Sequence, residues 1–105
     1  MKTVEERVSQ FRASFPTEMQ FPYRFKARQR PFNVAAIYTD GRFTYIRADA
    51  TELPALYELV EDGLGSTSPN LVNFQVEKGL YIVPKVLERG YLAIGKQKLE
   101  FEIGR

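Results

Sequence analysis

FNVAAIYTDGRFTYIRAD, residues 32–49, decides the fold class. Val34, Ile37 and Tyr38 on one side of Asp40-Gly41, and Phe43, Thr44, Tyr45 and Ile46 on the other, make two β-rich runs joined by a turn dipeptide. Asp-Gly between two such runs is a strong local hairpin signal, since both central residues of a type I′ turn take positive φ. A connection that short joins only antiparallel neighbours, so the sheet it belongs to is antiparallel.

Working outward, the alternation continues in both directions. Toward the amino terminus, Met19, Phe21, Tyr23, Phe25 and Ala27 share one face of an expected strand, and Gln20, Arg24, Lys26 and Arg28 share the other. Pro22 cannot donate to a ladder, which places that strand at a sheet edge, and Arg30-Pro31 ends it. Toward the carboxy terminus, Leu56 to Glu61 reads as a strand and Gly63 to Asn70 as a loop. Leu71 to Glu77 alternates again, with Val72, Phe74 and Val76 on the inner face. Lys78-Gly79 turns the chain into Leu80 to Val83, and Gly90 to Ile94 pairs through Gly95-Lys96 with a last run carrying Leu99, Phe101 and Ile103 inward. About eight short strands with regular turn signals describe an all-β antiparallel sandwich.

Residues 1–18 have a different period. Thr3 and Glu6 fit a capping box, Val4, Val8, Phe11 and Phe15 recur at helical spacing, and Pro16 stops the run. The expected organisation is an amino-terminal amphipathic helix or linker over 1–18 and a β-sandwich domain over 19–105. Covering the domain's own core is the favoured use of that helix, with docking of a partner as the alternative.

Composition narrows the chemistry. The 105 residues contain no His and no Cys, while 13% are aromatic. The usual general base, the thiol nucleophile and the common zinc ligands are therefore missing, and the rings supply a core large enough to oppose disorder. Asp40, Glu52, Glu58, Glu61, Asp62 and Glu77 are the acidic candidates, but no spacing pairs two of them across a cleft as a glycosidase requires. Gly63-Leu64-Gly65 lacks the following helix and Lys of a phosphate loop. We expect no enzyme, no catalytic residue, no cofactor and no metal site. Apolar runs stay well short of the ~20 residues of a spanning helix, and Met1 to Ser14 does not read as a secretory signal, so an exported protein would be represented here by a fragment.

Charge is uneven: residues 1–47 hold nine Lys/Arg and four Asp/Glu, residues 48–105 six and nine. A basic strand with interleaved rings could serve a single-stranded nucleic-acid-binding β-barrel, the alternative function. Nucleic acid is disfavoured because Phe21, Tyr23 and Phe25 lie on the face opposite Arg24, Lys26 and Arg28.

Five motifs, in order, carry a family resemblance. Arg30-Pro31, Val34, Asp40-Gly41 and Thr44-Tyr45-Ile46 resemble the RP…V…DGxxTYI core of the TrbG/CagX family, outer-ring subunits of type IV secretion and conjugation systems. LPALY at 53–57, LVNF at 71–74, YIV at 81–83 and LAIG at 92–95 are similar to later family segments, so the resemblance spans about Phe21 to Ile103. It implies a periplasmic, outer-membrane-associated scaffold domain in a homo-oligomeric ring, held against a small outer-membrane lipoprotein and a larger channel-forming subunit. On that reading an extended partner segment adds to a sheet edge. By position, the docking residues are Phe21, Tyr23 and Phe25, with Arg24, Lys26 and Arg28 at the polar rim.

Overall fold

A computed structural model describes residues 19–104, and the expected helix over 1–18 lies outside them. The strands run in the order β1 (Tyr23–Phe25), β2 (Val34–Thr39), β3 (Thr44–Ala48), β4 (Ala55–Glu61), β5 (Thr67–Leu71), β6 (Gln75–Glu77), β7 (Leu80–Val83), β8 (Arg89–Ile94) and β9 (Gln97–Ile103). They form two sheets with antiparallel neighbours throughout, a five-stranded one ordered β1-β9-β8-β4-β5 and a four-stranded one ordered β2-β3-β7-β6. The expected antiparallel sandwich is the observed fold.

Strand alternation builds the core. Val34, Ile37, Ile46, Tyr81 and Val83 project from one sheet onto Tyr23, Leu56, Leu92, Leu99 and Phe101 of the other, with Phe32 and Leu87 filling the ends. Each fully buried aliphatic or aromatic side chain of this set contributes about 1.5–3 kcal/mol of transfer free energy. Gly90 of β8 has to be glycine on packing grounds, because a Cβ there would overlap the Tyr57 carbonyl oxygen and stand 3.0 Å from the Phe101 ring.

Both lateral sides of the sandwich are closed by chain that changes sheets. Gln20 pairs with Thr39 of β2 through N–H to O contacts of 2.7 and 2.9 Å, and two residues after it Pro22 accepts from Gly104 N–H beside β9 at 2.8 Å. The expected single strand Met19–Ala27 is therefore split: its start belongs to the four-stranded sheet, and only Tyr23–Phe25 joins the five-stranded one. Pro22, which has no N–H to give, marks the crossing. Opposite, Leu71 leaves β5 and Gln75 enters β6, and between them Val72 N–H donates to Leu56 O at 2.9 Å while Val72 and Phe74 pack on the core. The expected strand Leu71–Glu77 is thus a strap followed by the short β6, and Val76 is exposed rather than inward. The second half of the expected loop Gly63–Asn70 belongs to β5, whose five residues are all exposed and pair with β4.

The turns differ in type. Lys78-Gly79 joins Glu77 to Leu80 with φ of 49° and 81°, the two positive angles of a type I′ turn. Asp40-Gly41 does not make one. Thr39 pairs with Thr44, the loop is residues 40–43, and only Gly41 has positive φ, at 91°. Asp40 replaces the missing backbone geometry with its carboxylate: Oδ1 accepts from Arg42 N–H at 2.9 Å and Phe43 N–H at 2.8 Å, and Oδ2 accepts from the Tyr45 hydroxyl at 2.7 Å.

Candidate partner-docking site

β1 ends the five-stranded sheet, with β9 on one side of it and no strand on the other among the described residues. Alternation sends Tyr23 and Phe25 toward the core and Arg24 outward. Tyr23 is structural. Its ring meets Phe101 edge-on at 5.8 Å between centroids. Its hydroxyl donates to the Leu87 carbonyl and lies 3.5 Å from Thr44 Oγ1, which itself donates to Lys85 O at 2.8 Å and accepts from Leu87 N–H at 2.9 Å. Burial pushes the Tyr23 phenol above its ordinary value; the Thr44 and Leu87 hydrogen bonds pull the other way, and the Glu88 charge adds to the rise.

Arg24 and half-buried Phe25 line a surface depression of about 320 Å³ together with Arg89, Glu100, Phe101 and Glu102. The ladder sets its charges in alternation, since Glu102 stands opposite Arg24 on one side and Arg89 on the other. Arg24 also lies across Gly104, where a Cβ would collide with its side chain. The walls of this depression are charged and the Phe25 and Phe101 rings turn to the core beneath it, an arrangement that suits an extended peptide carrying charged side chains.

The other expected docking residues are not gathered there. Phe21 is 67% exposed and its ring tilts against Tyr38 of the four-stranded sheet at 5.1 Å between centroids, so it is neither inside the sandwich nor on the face shared by Tyr23 and Phe25. Lys26 is exposed just past β1, at the start of a turn in which Gln29 N–H donates to Lys26 O. Arg28, at φ 61°, lines a second depression with Asn33, Arg47, Asp49, Lys78 and Gly79. The alternation that placed six residues on two faces of one strand was interrupted by the change of sheet at Pro22 and by the turn after Phe25.

Outside β1, the structure adds residues that the sequence reading passed over. Tyr57 and Tyr91 stack at 5.0 Å on the outer face of the five-stranded sheet, with Lys98 Nζ 4.7 Å above the Tyr91 ring. Cross-strand pairing makes this contact, Tyr57 of β4 opposite Tyr91 of β8, and no local pattern announces a pair 34 residues apart in register. Three of the acidic candidates have structural work: Glu58 accepts from Lys85 Nζ at 2.7 Å, and Asp62 Oδ1 accepts from Leu64 N–H at the β4–β5 tip. Asp40 holds its turn.

A family model described as CagX, conjugal transfer protein, matches residues 3–103. The chain belongs to the CagX family. Membership makes it a component of conjugation and type IV secretion machinery, and so of a protein complex. The CagX match also starts before the recognised motifs, bringing residues 3–20 into the family region with the sandwich. No curated protein matches the chain. Among the described residues no helix is long and apolar enough to cross a membrane.

Proposed function

We propose that this chain is a non-catalytic scaffold domain of the periplasmic, outer-membrane-associated part of a conjugation machine, and that it holds an extended segment of a partner subunit along β1. The observation that carries this reading is the coincidence of a sheet-ending strand with the depression under Arg24 and Phe25. Added backbone hydrogen bonds supply affinity in such contacts, and pockets for alternate side chains supply specificity. Only three residues of β1 are available for pairing, so the Arg24, Arg89, Glu100 and Glu102 walls provide most of the discrimination. Lys26 extends the cationic rim just beyond the strand and favours an acidic flank on the partner. The partners in keeping with the family are a small outer-membrane lipoprotein and a larger channel-forming subunit, arranged in a ring.

The closed lateral sides support docking by addition at an edge rather than by insertion between the sheets. Chain at 19–25 and 71–75 already spans both sides, and the core behind it is filled by Phe32, Leu87, Leu99 and Phe101. The test is a titration of the isotope-labelled chain with a synthetic extended segment of the lipoprotein from the same conjugation system. Amide shifts concentrated at Tyr23–Lys26 and across the depression support the reading; saturable binding that leaves those amides unmoved refutes it.

A further inference from the structure

We propose that the depression lined by Arg28, Arg47 and Lys78 at one end of the four-stranded sheet is a second binding site, which takes the carboxylates of an acidic segment of a partner protein. It shares no residue with β1 or with the depression beside that strand, so it stands or falls apart from docking there. Three pieces of chain meet to build it: the turn after β1, the end of β3 and the Lys78-Gly79 turn. Hydrogen bonds fix them to one another. Ala48 N–H donates to Gly79 O at 2.9 Å, Asp49 N–H to Asn33 O at 3.1 Å and Arg28 N–H to Val34 O at 2.9 Å, while the Asn33 side-chain amide donates to Asp49 O at 3.1 Å. The hollow they enclose is about 330 Å³.

Backbone irregularity collects around this hollow. Arg28, Asn33 and Lys78 are the non-glycine residues with positive φ among the described residues, and all three line it. β2 has its register shift at Ala35, which lines it too, exposed and without a partner in the β3 ladder. Bulges re-aim side chains and are over-represented beside active sites, and strained backbone clusters where ligands are held. Asn tolerates the left-handed region, whereas Arg and Lys enter it at a cost, and Asn or Gly is the ordinary choice at the first central position of a type I′ turn. At Arg28 and Lys78, where Asn or Gly would relax the backbone, the chain carries a cation.

The ligand follows from the charges. Arg28, Arg47 and Lys78 are exposed, and among the described residues none of them is in an ion pair. Arg47 stands outward between buried Ile46 and Ala48, and in its row across the sheet Leu80 separates it from Glu77. Asp49 is the acidic residue of the lining, so three positive charges face one negative. A carboxylate is the planar acceptor that a guanidinium fork holds by two parallel hydrogen bonds. Single-stranded nucleic acid asks for rings on which bases stack, and no aromatic side chain lines the hollow. Asp49 also repels an unbroken row of phosphates, whereas a peptide sets an uncharged residue against it between its acidic ones.

The probe is a synthetic peptide of alternating Glu and Ser, titrated at low salt into the isotope-labelled full chain. Saturable amide shifts at Asn33, Ala35, residues 47–49 and Lys78-Gly79 are expected, weakening as salt is added and absent with a peptide of alternating Gln and Ser. No binding, shifts confined to other surfaces, or equal shifts with the Gln peptide overturns the proposal. The same shifts at equal affinity with inorganic phosphate make the hollow a site for any small anion, and tighter binding there of an oligothymidylate assigns it to nucleic acid; either result also overturns it. Arg28→Asn with Lys78→Asn separates binding from architecture, because Asn suits both backbone positions. Peptide affinity is expected to fall about tenfold while the thermal midpoint holds or rises, and unchanged affinity contradicts the proposal. If that variant unfolds, Arg47→Gln at its exposed strand position decides in the same way, by lost or retained affinity.

Discussion

Tyr23 is held at both ends, its ring by Phe101 and its hydroxyl by Leu87 and Thr44. That arrangement has a pH signature. Burial raises the Tyr23 phenol above 10.0, and burial, with the Asp49 charge second, does the same for Tyr81. Above pH 10 the unfolded chain gives up these protons while the folded chain keeps them, so folding then binds more protons than unfolding. Their contribution is accordingly complete below pH 10 and lost as pH rises through the raised folded values. Urea midpoints measured across this alkaline range are expected to fall, and the fall is expected to flatten in a Tyr23→Phe, Tyr81→Phe variant. Asp40 makes a second residue-scale case. Asp40→Ala removes the carboxylate that accepts from two turn N–H groups and from the buried Tyr45 hydroxyl, and is expected to cost about 2–4 kcal/mol in equilibrium unfolding. A loss of a few tenths would mean that water replaces the carboxylate without penalty.

Among the elements, those with one buried face and a turn of fixed chemistry were legible in the sequence. The β2–β3 pair, the Lys78-Gly79 turn and the β8–β9 pair through Gly95-Lys96 are found where alternation and turn residues place them. What could not be read has a physical cause. β5 consists of Thr67-Ser68-Pro69-Asn70-Leu71, exposed along its whole length, so no inward face imposes a period, and the strand exists because β4 offers it a ladder. In the 71–77 stretch the alternation was real but was produced by an extended strap crossing between sheets, which buries every second side chain just as a strand does. Phe74 lies on that strap, half-buried with its ring 5.1 Å from Tyr81. Phe74→Ala is therefore expected to cost about 2 kcal/mol, below the ~3–5 kcal/mol typical of a fully buried Phe. Thermal unfolding of the pair checks it, and a loss at the full core value would place Phe74 deeper than the strap allows.

For the whole molecule, the two sheets, the two lateral straps and the filled core describe a rigid body whose free features are its edges and its outer faces. The fold class and the CagX membership were legible because hairpin motifs recur in order along the chain; the docking residues were only partly so, because Pro22 moves the chain from one sheet to the other in the middle of a continuous alternating pattern. Arg24 and Phe25 remain together, while Phe21 and Arg28 go to other surfaces. Arg24→Glu is accordingly expected to weaken partner binding about tenfold, since it reverses the sign of one wall, with the unfolding midpoint lowered only slightly by the like charge it sets opposite Glu102. The most direct measurement is the amide-resolved titration of the full chain with the extended lipoprotein segment. The account predicts saturable shifts at Tyr23–Lys26, Arg89 and Glu100–Glu102 with β3 and β7 unmoved; shifts confined to the β5 and β6 edges would contradict it.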